Sequence, residues 1–281
     1  MQKSFKEKKP TLYIVSTPIG NLSDITYRAV EILSSVHLIL CEDTRTSAVL
    51  LAHYNIKKPL MSYHEFNKHE QKDKILSLLE QGYDLALISD AGTPGINDPG
   101  YEIIVDVINA HYHVVSIPGA SAILASLVVS GLVIQPFTFI GFLPRKKSDY
   151  TRILKNYIQR HETLVIYESP NRVSKTLEEL LNILGNRKIA LCRELTKTYE
   201  TIIRTSLLEA QTIEMNDKGE YVIIIEGNTE EEKPTLDILS HYQMLLRVGY
   251  TDKEALKEVA MKHHIPKSDV YRIVKIENKN A

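Results

Sequence analysis

The chain has 281 residues, of which 43% are hydrophobic and 25% are charged, and its formal net charge is −1. This composition is typical of a globular protein with material for about two domains, and it excludes a surface that is basic over its whole area. The two cysteines, Cys41 and Cys192, lack the close spacing of zinc ligands. We expect two free, buried thiols and no bound metal.

The N-terminus has four lysines before Pro10 and no apolar core, so it does not resemble a secretory signal peptide. The sequence also contains no run of 18 apolar residues, which excludes a typical transmembrane helix. We therefore expect a cytoplasmic protein that has no membrane partner.

Short apolar runs alternate with amphipathic stretches along the first part of the chain. They predict strands at 12–16, 36–41, 85–89 and 113–117, and helices near 25–34, 45–54, 70–81 and 101–110. This alternation is typical of a parallel sheet with right-handed crossovers. A second α/β set has predicted strands at 137–141, 163–167, 188–192 and 221–226, with helices near 149–160 and 171–184.

Two breaks suggest how the chain divides. The segment 118–122 is a predicted hinge, which also opens a helix of small residues, and the charged run 230–234 is a predicted linker. We expect one α/β domain at 11–118, a second at 119–229, and a small helical module at 234–281.

The last segment predicts three short helices and no strand. Thr251 and Glu254 have the spacing of a capping box, and Pro266 separates the last two helices. These helices resemble a helix-turn-helix, which can bind nucleic acid. Because basic residues only slightly outnumber acidic ones there, a plain helical packing module fits the pattern equally well.

The segment 89–100 is the most informative part of the sequence. It follows an apolar strand and contains three glycines, two prolines and two aspartates. Ordinary loops after a strand need only two to six residues, whereas this one is longer and chemically unusual. Because open α/β sheets bind ligands at the carboxyl ends of their strands, we expect a ligand site here.

The turn after the first strand, at 16–24, narrows the choice of ligand. It matches neither the GxGxxG dinucleotide fingerprint nor the phosphate loop of nucleotide hydrolases, so an NAD-dependent enzyme is disfavoured. Pro18 also removes a backbone donor that an anion would need. A neutral or cationic ligand, such as the sulfonium of S-adenosylmethionine, suits these turns better.

Eight short motifs carry a resemblance that spans almost the whole chain. They lie, in order, at 17–22, 41–45, 89–94, 97–100, 118–121, 141–144, 167–169 and 193–197. Together they closely resemble the ribosomal small-subunit methyltransferase I family, part of the tetrapyrrole-methylase superfamily of S-adenosylmethionine enzymes. The resemblance implies two α/β domains with the active site in the cleft between them, a C-terminal helical module, and a homodimer. The implied reaction is 2′-O-methylation of cytidine 1402 in 16S ribosomal RNA.

The resemblance also implies a set of cofactor contacts. These come from both turns, the hinge and the second domain, and they are Pro18, Asp90, Gly92, Thr93, Ile96, Asp98, Ala120, Ser121, Leu143 and Tyr167. Tetrapyrrole methylases carry a GxGxGD-like first turn that this chain lacks, which favours an RNA substrate over a porphyrin-like one. A tetrapyrrole or diphthine-type methyltransferase and a non-catalytic RNA-binding ribosome assembly factor remain as alternatives.

A ribose hydroxyl is a poor nucleophile until a base takes its proton or a cation stabilises the alkoxide. Glu42, at the end of the second predicted strand, and Lys146, after the motif 141–144, are the candidate catalytic residues. The alternative for Glu42 is an ion pair with Arg45 that caps the next helix, and the alternative for Lys146 is a solvated loop lysine.

RNA contacts should come from local basic patches, because the whole chain is nearly neutral. The segment 145–155 has five Lys or Arg against one Asp, although such a run is also typical of a solvated helix face. His64 lies in a stretch, 63–67, whose aromatic and polar groups could hold a splayed base, but a lone histidine is more often structural. The predicted RNA-binding residues are Arg45, His64, Arg145, Lys147, Arg172 and Arg193.

Overall fold

The computed structural model describes residues 2–4, 6–97, 100–229 and 236–276. The chain forms two compact units, Met1–Gly227 and Asn228–Ala281. Within the described ranges, no helix has the length and apolar character needed to cross a membrane.

The first sheet of the larger unit is parallel throughout, as the alternation of strands and helices predicts. Its strand order is β3-β2-β4-β1-β5, so the first strand lies inside the sheet. The strands are β1 (Thr11–Val15), β2 (Leu38–Cys41), β3 (Leu60–Ser62), β4 (Leu85–Leu87) and β5 (His113–Ile117). The connecting helices are α1 (Tyr27–Ser35), α2 (Thr44–His53), α3 (Lys68–Glu80) and α4 (Tyr101–Asn109).

Both faces of this sheet are buried, which explains why its strands are apolar at successive positions. Leu12, Leu40 and Leu85 pack on one face with α3 and α4. Ile39 and Ala86 pack on the other face with α1 and α2. Because the strands are parallel, the carboxyl ends of β1, β2 and β4 lie at the same edge of this well-packed sheet. The loops that follow these strands therefore begin close to one another.

The second sheet is mixed, with strand order β6-β7-β10-β8-β9. Only β6 and β7 are parallel; β10 runs antiparallel to β7 and β8, and β9 runs antiparallel to β8. Its elements are α5 (Ala122–Ser130), β6 (Phe137–Phe142), α6 (Lys147–Lys155), β7 (Thr163–Glu168), α7 (Val173–Leu184), β8 (Lys188–Arg193), β9 (Thr201–Ser206) and β10 (Tyr221–Ile225).

Helices cover both faces of the second sheet. Ile123 and Leu127 of α5 pack on one face of the sheet. Leu177 and Leu180 of α7 pack on the other face. The fold class is thus α/β with two sheets, as the sequence predicts. Both sheets lie within one compact unit, so the boundary at 118–119 between two α/β domains stays a prediction.

The smaller unit is helical in its described part, with α8 (Ile238–Arg247), α9 (Asp252–Lys262) and α10 (Lys267–Tyr271), which continues as one π-helical turn. The predicted capping box is present: Thr251 N donates to Glu254 Oε2 at 3.0 Å, and Glu254 N donates to Thr251 Oγ1 at 3.4 Å. The predicted linker 230–234 lies outside the described residues, and the boundary at 234 stays a prediction.

Candidate active site

The turn after β4 is tied to the turn after β1 by a short antiparallel bridge. Thr17 N donates to Gly92 O at 2.8 Å, and Gly92 N donates to Thr17 O at 3.2 Å. The hydroxyls of Ser16 and Thr93 are 2.8 Å apart, and Ser89 Oγ donates to Gly92 O at 3.2 Å. These bonds link the two turns and help to fix the shape of the unusual turn.

A cavity of about 240 Å³ lies between the two sheets, and we call it the inter-sheet cavity. The turn after β4, the start of α5 and the ends of β6, β7, β8 and β10 all contribute to its lining. Six of the predicted cofactor residues meet there: Asp90, Gly92, Thr93, Ile96, Ser121 and Tyr167.

The other predicted cofactor residues lie around this cavity rather than in its lining. Pro18 is buried and lines a neighbouring cavity of about 550 Å³, which we call the first-turn cavity. The carbonyl oxygen of Ala120 faces Gly92, at 3.8 Å from where a Cβ on that glycine would lie. Leu143 is 3% exposed and belongs to the core of the second sheet. Asp98 lies outside the described residues.

The inter-sheet cavity is acidic and aromatic. Among its described lining residues are four carboxylate side chains, Asp90, Glu168, Glu194 and Glu220, against a single lysine. Tyr167 makes edge contacts with Phe139 and Phe142, at ring-centroid distances of 4.9 and 5.6 Å. Carboxylates and aromatic rings both attract cations, so this lining favours a positively charged ligand.

Asp90 illustrates the electrostatics of the turn. The residue is exposed overall, yet desolvation of its carboxyl group raises its pKa, and the negative charge of Asp43 adds to that rise. A hydrogen bond from the backbone of Asp43 acts in the opposite direction. The turn after β4 thus touches the segment that joins β2 to α2.

Glu168 is the most buried of the four carboxylates, at 1% exposure. It accepts hydrogen bonds from Ser169 N and Thr176 Oγ1, both at 2.8 Å, and lies 3.4 Å from Arg172 Nε. Arg172 also donates to the carbonyl of Leu143 at 3.0 Å. This network holds the loop after β6 against α7, which is a structural use of Arg172.

The predicted catalytic residues do not meet at these cavities. Glu42 is half-buried after β2, and Lys146 is exposed at the start of α6. Neither lines the inter-sheet cavity or the first-turn cavity. Their catalytic roles stay predictions.

Two of the predicted RNA-binding residues, Arg145 and Arg172, line a third cavity, of about 270 Å³. We call it the basic cavity, because Lys175 lines it too. Arg145 is exposed and makes no hydrogen bond or ion pair to the residues that the structure describes.

The remaining predicted RNA-binding residues are dispersed. Arg45 pairs with Asp43 at 2.6 Å, Lys147 pairs with Glu179 at 2.6 Å, and Arg193 Nε donates to Lys218 O at 2.7 Å. The His64 ring contacts Phe66, which is 96% exposed.

The comparisons with known proteins agree with the motifs. Residues 11–211 match the family described as Tetrapyrrole (Corrin/Porphyrin) Methylases. Two proteins named "Ribosomal RNA small subunit methyltransferase I" are similar to almost the full chain. The one from Halalkalibacterium halodurans is 44% identical over 97% of this chain and 98% of its own, and the one from Bacillus subtilis is 43% identical over 96% of each. The chain belongs to the ribosomal RNA small subunit methyltransferase I family.

Solved structures of tetrapyrrole methylases share the fold. The cobalamin biosynthetic enzyme cobalt precorrin-4 methyltransferase is 18% identical, with a TM-score of 0.55 over 77% of this chain and 94% of its own. Uroporphyrin III C-methyl transferase from Thermus thermophilus is 19% identical, with a TM-score of 0.53 over 76% of this chain and 96% of its own. At this identity the likeness concerns the fold alone.

The protein is a methyltransferase, and methyltransferases of this family use S-adenosylmethionine. The inter-sheet cavity fits that cofactor in chemistry: the carboxylates of Asp90 and Glu220 complement the positive charges of a sulfonium and an ammonium group, and Tyr167 adds an aromatic ring. It is also built without a phosphate-binding loop, in accord with a ligand that lacks phosphates.

The lining residues of the inter-sheet cavity that sequence reasoning missed include Glu194, Lys197 and Glu220. The segment 193–197 is among the motifs that carry the resemblance, but Arg193 is its only predicted site residue. Glu194 and Thr196 have φ values of 51° and 68°, and this left-handed backbone turns the segment towards the cavity. No residue in the segment is a glycine, so the sequence does not reveal the turn.

Proposed function

We propose that the protein transfers a methyl group from S-adenosylmethionine to a ribose 2′-hydroxyl of small-subunit ribosomal RNA, with cytidine 1402 of 16S RNA as the acceptor. The observation that carries this proposal is the 44% identity to a protein named for small-subunit ribosomal RNA methylation, over 97% of the chain. The similarity continues past residue 211, where the methylase match ends. The proposed place of action is the cytoplasm, where small ribosomal subunits would be the substrate.

S-adenosylmethionine supplies a methyl group made electrophilic by a sulfonium. In the proposed arrangement the residues of this chain bind and orient it: Asp90 attracts positive charge, the backbone at Gly92 shapes one wall, and Tyr167 closes the other. Thr93, Ile96 and Ser121 provide further contacts to the cofactor. Pro18, Ala120 and Leu143 lie around the cavity and support the residues that line it. Asp98 is also proposed to contact the cofactor, and this proposal rests only on its place in the motif 97–100.

RNA phosphates are proposed to contact the exposed cations around the basic cavity. Arg145 supports this role best, because its guanidinium is exposed and has no partner among the described residues. Arg172 contributes positive charge while it holds the loop after β6. Lys147, Arg193 and Arg45 are already bonded within the protein, so contact with RNA would exchange those partners. His64, beside the exposed ring of Phe66, is proposed to contact a base.

Glu42 and Lys146 stay proposed as groups that act on the acceptor hydroxyl. Glu42 directly precedes Asp43, which touches Asp90, so it lies near the turn after β4 without lining its cavity. Lys146 begins α6 beside Arg145. Both proposals require RNA to approach from the side of these loops.

A homodimer is proposed from an apolar surface on the second sheet. On α5, Leu124 and Val128 are 57% and 69% exposed and lie one helical turn apart. Val133, Ile134 and Phe137, which follow α5 in the sequence, are exposed as well. We call these five residues the α5 patch. A second copy of the chain is the proposed partner, since contiguous exposed apolar residues mark association surfaces.

The test is methylation of small ribosomal subunits from a strain that lacks this activity. Digested RNA should contain 2′-O-methylcytidine, detected by mass spectrometry, at the position corresponding to cytidine 1402. Naked RNA should react more slowly, because a nearly neutral protein gains little from unspecific phosphate contacts. Base-methylated nucleosides alone would contradict the proposed acceptor.

A further inference from the structure

The inter-sheet cavity and the first-turn cavity are neighbours that share part of their walls. The first-turn cavity is lined by the turn after β1, by the start of α2 and by the start of the turn after β4. Five residues line both cavities: Ile19, Asp90, Ala91, Lys197 and Glu220. If the inter-sheet cavity holds the methyl donor, an acceptor in the first-turn cavity would meet it at these shared residues.

Lys197 is the only lysine or arginine among the described residues that line either cavity. Its Nζ lies 2.8 Å from Glu194 Oε1, and 35% of its side chain is exposed. The side chain is therefore held by a partner and still reachable by a substrate. Asp90, Glu194 and Glu220 keep the surroundings negative, so this single cation does not make the cavity repel a positively charged donor.

The fold is shaped around this ion pair. A Cβ on Gly20 would lie 2.4 Å from Lys197 Cγ, and a Cβ on Gly219 would lie 2.5 Å from Glu194 Cγ. Both distances are shorter than real side chains permit, so each glycine makes room for one member of the pair. Glu194 and Thr196 also adopt left-handed backbone that costs free energy in non-glycine residues. Strained backbone of this kind is concentrated at functional sites.

We propose that Lys197 is a catalytic residue whose ammonium group donates a hydrogen bond to the acceptor oxygen during methyl transfer, and that Glu194 positions it. This inference rests on the proposed transfer to a ribose hydroxyl. In that step a carbon–oxygen bond forms while the carbon–sulfur bond breaks, and the electron pair of the broken bond stays on sulfur. The hydroxyl proton passes to water. Lys197 stabilises the negative charge that grows on the oxygen as the proton leaves.

The test compares Lys197→Met, which keeps the length of the side chain without its charge, with Lys197→Arg, which keeps the charge. Lys72→Met is the matched control, because Lys72 forms a 2.7 Å pair with Asp106, is 42% exposed and lines neither cavity. Removing one such donor typically lowers kcat about 100-fold or more. We expect that loss for Lys197→Met, substantial recovery in Lys197→Arg, and wild-type kcat for Lys72→Met.

Glu194→Gln should lower kcat less than Lys197→Met does, because the lysine stays present but is held less firmly. Cofactor affinity by calorimetry, the melting temperature, and KM for ribosomal subunits should stay within about twofold of wild type in the Lys197 variants. These readouts separate a role in the transition state from a structural one.

Two results would overturn the inference: a kcat within about threefold of wild type for Lys197→Met, or equal defects in the Met and Arg variants together with lost stability or cofactor binding. Wild-type enzyme is assayed first for 2′-O-methylcytidine. If wild type forms that product, the proposed function stands and the variants alone decide the role of Lys197. If wild type forms none, the proposed function fails and the role of Lys197 fails with it.

Discussion

At position 93, the size of the side chain determines how much of the inter-sheet cavity stays open. Thr93 lines that cavity, and its hydroxyl lies 2.8 Å from that of Ser16 in the first turn. A larger side chain at this position would meet the cavity and the first turn.

Thr93→Arg should therefore weaken the binding of S-adenosylmethionine by at least about 100-fold, since it adds both bulk and a positive charge that repels the sulfonium. Calorimetry on purified protein without RNA measures the affinity. Thr212→Arg, on an exposed segment away from both cavities, is the control and should bind normally. Undiminished binding in Thr93→Arg would place the cofactor elsewhere.

Asp43 links the start of α2 to the candidate site. It caps the helix by accepting a hydrogen bond from Arg45 N at 2.8 Å, and it pairs with the guanidinium of the same residue at 2.6 Å. The hydrogen bond from the Arg45 side chain is the largest of the causes that lower the pKa of Asp43 to about 2.

A lowered pKa has a defined consequence for stability. The contribution of Asp43 should be fully present above its ordinary value of 3.8 and should disappear as the pH falls towards about 2. Carbon-detected NMR titration of Asp43 in wild type and Arg45→Ala measures this directly. The variant should show a higher pKa, and an unchanged value would mean that the ion pair is absent in solution.

At the scale of elements, most strands and helices were predictable from the sequence, whereas the strands β3 and β9 were not. The strands β1, β2, β4 and β5 can be recognised in the sequence as apolar runs, because helices cover both faces of their sheet. β3 has only three residues, too few to show a period. β9 is an edge strand of half-exposed residues, so its sequence carries little apolar pattern. Sequence spacing alone identified the capping box of α9, since that motif is local.

The residues of the candidate site also differ in whether the sequence could predict them. The position of Gly92 and Thr93 at the inter-sheet cavity could be predicted from one continuous motif that follows β4, and that of Tyr167 from another motif at the end of β7. Lys197 could not, because its position depends on the left-handed backbone of Glu194 and Thr196 and on the space left by Gly20. Those conditions combine two parts of the chain that are far apart in sequence.

α5 is apolar on nearly every side, although only one side packs on the second sheet. If the chain forms the proposed homodimer through the α5 patch, Val128→Asp would place a charge within that patch and should raise the dimer dissociation constant at least about tenfold. Sedimentation equilibrium measures this constant. Ile108→Asp, at an equally apolar and 51% exposed position on α4, should leave it unchanged. If both variants behave as wild type does, the α5 patch is not the dimer interface.

At the scale of the whole molecule, the helical unit has its own small core and cap. Tyr242, Leu256, Val259 and Val270 pack together there, and the Tyr242 hydroxyl donates to Asp252. None of the residues that the structure describes in this unit lines the inter-sheet cavity or the first-turn cavity.

Truncation after Thr229 should therefore leave cofactor affinity and the melting temperature of the α/β unit nearly unchanged. If the helical unit docks on the ribosomal subunit, KM for that substrate should rise about tenfold, with kcat preserved. Steady-state kinetics, calorimetry and thermal melting on one truncated protein measure all of these. Loss of stability and cofactor binding together with activity would show that the unit stabilises the fold instead.

The strand order of the first sheet has a consequence for how the protein is made. β1 pairs with β4, through Leu12 and Leu85, and with β5, through Leu12 and Val114, so both of its neighbours are synthesised long after it. At about 5–20 residues per second, the ribosome exposes an unpaired, apolar β1 for several seconds before either partner emerges. A nascent chain stalled before residue 85 should therefore bind chaperones and be cleaved readily by proteases, whereas one released beyond β5 should resist them.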